Sequence, residues 1–205
     1  MEAEIVVDVT GEQVSLVDAR RHCNITAEGS PLFHEDDALL EDILIPAARE
    51  WCEEYTGLAF ATKTLQIKID AFPEDGDIRL PIGPALSIES VVYVDDEEAE
   101  ITLAPTDYTL DAASVPQWLI QANDVTWPVA KEVANAVTIR YQAGYSLPNE
   151  SPVVKPLPKT FRVAMLMLIV HLYENRGAGV EKALSEVPFG VKSMLDWKRV
   201  RRGWA

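Results

Sequence analysis

Residues Pro158 to Leu172 read as a single helix that is apolar on every side, and the chain turns abruptly polar after it, at Tyr173-Glu174-Asn175-Arg176-Gly177. Phe161, Ala164, Met165, Leu168, Ile169 and Leu172 recur at helical spacing, while Val163, Leu166, Met167 and Val170 fill the other side. Apolarity all round predicts burial all round, so this helix is expected to be the spine of a larger assembly of elements. Its longest uninterrupted apolar run, Val163 to Val170, is eight residues. A bilayer span needs roughly 20, so a membrane protein is not expected.

Within its 205 residues the chain has only two cysteines, Cys23 and Cys52, and its first residues lack the pattern of a secretory signal. Synthesis in a reducing cytoplasm is therefore expected, with a core that folds without disulfides. Charge is unevenly spread: 24 of the 33 acids but only 6 of the 18 bases fall in residues 1–100. A surface so acidic repels phosphate, which argues against a chain that grips nucleic acid over its whole face.

Ser15 and Asp18 fit a capping box ahead of a short helix from Leu16 to Cys23. A second helix is predicted from Asp36 and Asp37, with Leu40, Ile43, Leu44, Ala47 and Trp51 on its apolar side and Gly57 as its stop. Pro46 removes a backbone donor inside it, so a kink or break is expected there. From Thr64 the period changes to two, with Leu65, Ile67 and Ile69 alternating with polar residues. Further strands are predicted at Ile78 to Leu80, Ile88 to Val94, Tyr108 to Leu110, Trp118 to Gln121 and Val137 to Tyr141, separated by turn residues; Ile5 to Val9 reads as a strand or an arm.

The fold class expected is α+β: a small helical bundle with a β-rich insertion between its second and third main helices. It divides into N-terminal helices over 1–60, the insertion over 61–147 and a C-terminal region over 148–205, all in one compact unit. A last short helix is predicted over Val191 to Val200.

No nucleophile elbow, phosphate-binding glycine loop, paired CxxC or HExxH is present, so no catalytic residue, metal or cofactor is assigned. His34-Glu35-Asp36-Asp37 is the nearest thing to a metal cluster, and a metal-dependent enzyme resting on it is a remote alternative. Four consecutive residues cannot all converge on one ion, and acids belong at a helix start for other reasons. The C-terminal tail is more suggestive. Lys192, Lys198, Arg199, Arg201 and Arg202 are interleaved with Trp197 and followed by Trp204, and arginine and tryptophan are the residue types that anchor protein interfaces.

Several segments together resemble the head-tail connector, or adaptor, family of tailed bacteriophages and gene transfer agents. They are Ala47-Ala48-Arg49-Glu50 leading to Tyr55-Thr56-Gly57; Phe72-Pro73; Ile78 to Pro81; Ser87-Ile88 to Tyr93; Asp107-Tyr108; and Val137 to Tyr141 with Ala143-Gly144-Tyr145. The strongest likeness is His171-Leu172-Tyr173-Glu174-Asn175-Arg176, followed by Pro188-Phe189-Gly190-Val191 and Met194-Leu195. The likeness runs from about residue 14 to 200; Pro46 and the acidic first half depart from it.

That resemblance implies a non-enzymatic virion protein of the neck, made in the host cytoplasm. It implies a homo-oligomeric ring beneath the portal protein, a dodecamer matched to the portal's symmetry, which extends the DNA channel and presents a platform for a stopper or tail-completion protein. Viral DNA passes through the lumen without sequence-specific binding. Lys192, Trp197, Lys198, Arg199, Arg201, Arg202 and Trp204 are the candidate portal-docking residues. Glu41, Asp42, Glu53 and Glu54 are the candidate channel-facing acids, since an acidic wall repels phosphate within roughly 8 Å at physiological salt. A stopper or terminator ring protein is the alternative within the same class.

Overall fold

Alternating apolar residues build the larger of two sheets. In the computed structural model, which describes residues 3–25, 34–74, 76–148, 154–175, 187–197 and 199–200, β2 (Lys63–Ile69) lies between β1 (Ala3–Val7) and β8 (Val137–Ala143). The order continues through β4 (Ala85–Val94) to β5 (Glu100–Thr102), antiparallel throughout. The register sets Leu65 against Tyr141 and Ile67 against Ile139, and Val91 beyond them, so one face is continuous hydrocarbon. The opposite face is polar: Arg140 Nε donates to Gln66 Oε1 at 2.8 Å, and Gln142 Nε2 to Glu89 Oε1 at 2.9 Å.

A smaller sheet, β3 (Ile78–Arg79), β7 (Trp118–Gln121) and β6 (Tyr108–Asp111), adds Ile78, Leu119 and Tyr108 to the same core. Phe72 and Trp127 stack within it at 5.0 Å. Gly144, at φ 132°, lies so close to Ala61 that a β-carbon would come within 2.2 Å of its carbonyl oxygen; this is why the chain leaving β8 carries glycine there.

The helical elements form their own core. α1 (Leu16–His22) is capped by Ser15, whose hydroxyl accepts from the Asp18 N–H at 3.2 Å, as the capping box predicts. The second helix is interrupted. A single α-helical turn, α2 (Asp37–Leu39), passes into a π turn over Leu40–Leu44 and then into α3 (Ile45–Thr56). Ile45 N–H donates to the Leu40 carbonyl, five residues back. The widened turn comes just where the Pro46 ring would otherwise press on the preceding turn, so the expected kink takes the form of a π bulge.

α4 (Lys159–Glu174) buries Phe161, Ala164, Met165, Leu168 and Ile169 against α1, the π turn, α3 and α5 (Phe189–Asp196). Each of its large buried side chains contributes roughly 1.5–3 kcal/mol by leaving water. Burial is not complete all round, contrary to the sequence reading. Val163 is 40% exposed and Leu166, Met167 and Val170 are only partly buried, because neighbouring helices cover one side of α4 alone.

The chain separates into two compact units, where the sequence reading has one: a β unit holding the described residues of 3–9 and 57–145, and a helical unit holding those of 10–56 and 146–200. The segment 1–60 is also not helical throughout, since Ala3–Val7 form β1 and are held by the backbone ladder to β2.

Arg49 fixes the interior of the helical unit. Its side chain is 5% exposed, and its Nε donates to Glu12 Oε1 at 3.0 Å and its Nη1 to Glu53 Oε2 at 3.1 Å. Removing the cation leaves two carboxylates crowded in a poorly hydrated site. Arg49→Ala is expected to cost about 3 kcal/mol or more, read as a lowered urea midpoint, whereas Glu54→Gln on the open side of α3 should stay within about 0.5 kcal/mol. Equal small losses in both would contradict this account of the core.

Candidate functional site

α5 shows an inverted distribution of large side chains. Val191 and Leu195, one turn apart, are buried, and the opposite stripe carries Phe189, Ser193 and, just past the helix, Trp197. Phe189 is 84% exposed and Trp197 80% exposed. The chain after α5 is strapped to α3. Val200 N–H donates to the Thr56 carbonyl at 2.9 Å, and the Arg199 guanidinium lies 4.3 Å from the centre of the Tyr55 ring. Tyr55 in turn stacks on Trp51 at 5.1 Å and donates its hydroxyl to Asp196 at 2.8 Å. That hydrogen bond to a carboxylate pushes the Tyr55 hydroxyl pKa up, since ionising it would set two negative charges side by side.

Of the predicted portal-docking residues, then, Trp197 is largely exposed, Lys192 is partly buried on α5, and Arg199 is engaged by its own chain through Tyr55 and Asp196. Lys198, Arg201, Arg202 and Trp204 lie outside the described residues, as do Arg176 and Gly177 of the polar junction.

The predicted channel acids separate into two kinds. Glu41, Asp42 and Glu54 are exposed, and Glu50 lies one turn before Glu54 on the same side of α3. Glu53 is different: its side chain is only 12% exposed and is bonded to Arg49, so it balances a buried cation instead of facing open solvent. Helical spacing alone did not separate Glu53 from Glu54. Glu12, the other partner of Arg49, was missed altogether because it lies in the irregular segment between β1 and α1. Burial pushes its carboxyl pKa up in spite of the guanidinium beside it.

Two of the acids of His34 to Asp37, Asp36 and Asp37, pin helices together. Arg20 Nε on α1 donates to Asp37 Oδ1 at 2.6 Å, and Tyr173 on α4 donates its hydroxyl to Asp36 Oδ2 at 2.6 Å. The imidazole Nδ1 of His34 accepts from the Asp36 N–H at 3.1 Å. Among the described residues no group of three or more His, Cys, Asp or Glu is placed to hold a metal ion. Tyr173 also accounts for the polar turn at the end of α4, as the residue that ties α4 to the start of α2.

Cys52 is fully buried, and the loss of hydration pushes its thiol pKa up to about 12, with the Glu53 carboxylate adding to the rise. Such a thiol is a poor nucleophile at neutral pH.

These features define an α+β chain whose exposed chemistry consists of aromatic, aliphatic and charged side chains at the surface of a helical unit. No protein-family description matches the sequence, and no curated protein does. Solved structures do. The chain is similar, over 100% of its length and 98% of the other chain, to a component of the virion of a native gene transfer agent particle, at 23% identity and a TM-score of 0.76. It is likewise similar to a chain in the neck of an empty gene transfer agent particle computed with C6 symmetry, at 25% identity and a TM-score of 0.75. A chain in the neck of the native particle, computed with C12 symmetry, is 24% identical with a TM-score of 0.71. The shared fold therefore covers both units.

Asp37 gives a pH test of the helical pinning. The hydrogen bond from Arg20 holds its carboxyl below the ordinary 3.8, so the folded chain keeps it ionised at pH values where the unfolded chain would protonate it. That stabilisation is fully present above the ordinary carboxylate range and is lost as pH falls through the depressed value. Asp37→Asn should lower the urea midpoint at pH 7 and flatten its decline between about pH 5 and 3. A variant curve parallel to that of the wild type down to pH 3 would contradict the assignment.

Proposed function

We propose that this chain is a structural protein of a virion neck, an adaptor that forms a ring beneath the portal, extends the DNA channel and offers a platform for a stopper or tail component. The observation that carries the reading is the full-length likeness to chains of gene transfer agent necks. The C12 symmetry of one of those necks supports twelve copies. Surface chemistry agrees with it: assembly surfaces need exposed apolar and aromatic anchors rather than converging polar groups.

In this reading the portal is met by Trp197 and the basic residues that follow, with Lys192 at their border. The strap from Val200 to Thr56 sets the direction in which that segment leaves α3. Glu54, with Glu50 beside it, supplies the acidic channel wall. Glu41 and Asp42 adjoin Ile43, whose 55% exposed side chain suits a protein contact better than a DNA wall.

The test is electron microscopy of the purified protein with portal rings. Added density capping each portal is expected, and portals left bare would contradict the reading. Deleting residues 190–205 would remove Val191 and Leu195 from the core, so the truncation to use begins at Trp197. That chain should keep its circular dichroism spectrum and bind portal at least about tenfold more weakly, and Trp197→Ser should weaken binding in the same direction. Undiminished binding by both would refute the docking assignment.

A further inference from the structure

The less covered side of α4 carries the exposed Lys159 and Val163 and the half-buried Leu166 and Val170 in one helical stripe, opposite the buried stripe of Phe161, Met165 and Leu168. Its border runs toward α5: the Met167 methyl stands 3.3 Å from where a β-carbon on Gly190 would lie, and the next residue back is the exposed Phe189. A second apolar set occupies different elements of the same unit. Val17 on α1 is 53% exposed and Ile43 on the π turn 55% exposed, and these two elements pack on each other. Ile43 comes directly after the exposed acids Glu41 and Asp42. Single exposed aliphatics need no explanation, but here one apolar set is headed by a lysine and the other by two carboxylates.

We propose that these sets are the two halves of one head-to-tail contact between copies of this chain. The α4 stripe of one copy covers Ile43 and Val17 of the next, with Lys159 facing Glu41 and Asp42. The proposal rests on the ring reading above and names the surfaces that build the ring. Charge complementarity selects a second copy as the occupant. The lysine-headed set and the carboxylate-headed set are opposite in sign at that end, and each copy carries both. A contact between different surfaces is also the kind that closes into a ring. Glu174, at the far end of the stripe, lies one turn past Val170, and Arg21 lies one turn past Val17 on α1, so the second copy also brings a cation for that end.

A two-component swap tests this. Val163→Glu places an acid on the stripe, and Ile43→Lys places a cation in the acidic set; both positions are exposed enough to leave the fold unchanged, which circular dichroism checks. Wild type, each variant, and their equimolar mixture are followed by sedimentation velocity and electron microscopy, with and without portal rings. Wild type should form closed rings in at least one of the two conditions. Each variant alone should associate at least about tenfold more weakly, and the mixture should recover rings of alternating copies. Variants that assemble like wild type, a mixture that stays apart, or a wild type monomeric under both conditions would each overturn the contact. Failure of the neck reading is seen separately, as wild type that ignores portal while the swap still behaves as described.

Discussion

Arg49 is a guanidinium held almost wholly out of water, and the arrangement of the helical unit follows from its neutralisation. Glu53 reaches it from one turn further along α3, and Glu12 from the segment that precedes α1, so the entry of the chain into the bundle is tied to α3. α1 is then bound to the start of α2 by Arg20 and Asp37 and to α4 by Asp18 and Arg162, while α4 returns to Asp36 through Tyr173. A chain so rich in acids has used several of them inward, each matched to a named donor. Pairs of this kind add little net stability over hydrocarbon packing. They do penalise any arrangement that separates partners.

Much of this was legible in the sequence, where local pattern and final environment agree. β7 has the boundaries that its alternation predicts, and β2, β4, β6 and β8 begin or end within a few residues of theirs. The cap at Ser15 and the disturbance before Pro46 follow from chemistry within a few residues. The misses share a physical origin. β5 is three exposed residues, Glu100 to Thr102, with no alternation to read and only a partner strand to define it. Whether an acid faces water or a buried cation depends on residues distant in sequence, which is why Glu53 and Glu54 looked alike. The open side of α4 was illegible for the same reason: hydropathy records that a surface prefers to be covered, not whether the same chain covers it.

That open side connects the fold to function. A helix apolar all round, in a unit whose helices cover one of its sides more fully than the other, leaves the surface that the proposed ring contact would cover. Exposed apolar residues of the helical unit, among them Val163, Phe189, Trp197, Ile43 and Val17, are of types that form protein contacts. The buried thiol of Cys52 and the pinned acids of His34 to Asp37 hold the unit together. In the proposed ring, exposed charge near the apolar sets selects which surfaces meet, and charge on the outer side of α3 keeps DNA away.

The most direct measurement of the central claim is a cryo-EM reconstruction of the neck of particles assembled with this protein. The account predicts density for the helical unit and the five-stranded sheet repeated around the channel, with the Glu54 side of α3 toward the DNA and the chain after Trp197 toward the portal. A neck without that density, or one in which α4 of each copy is bare while the acids of α3 are buried against protein, would contradict it.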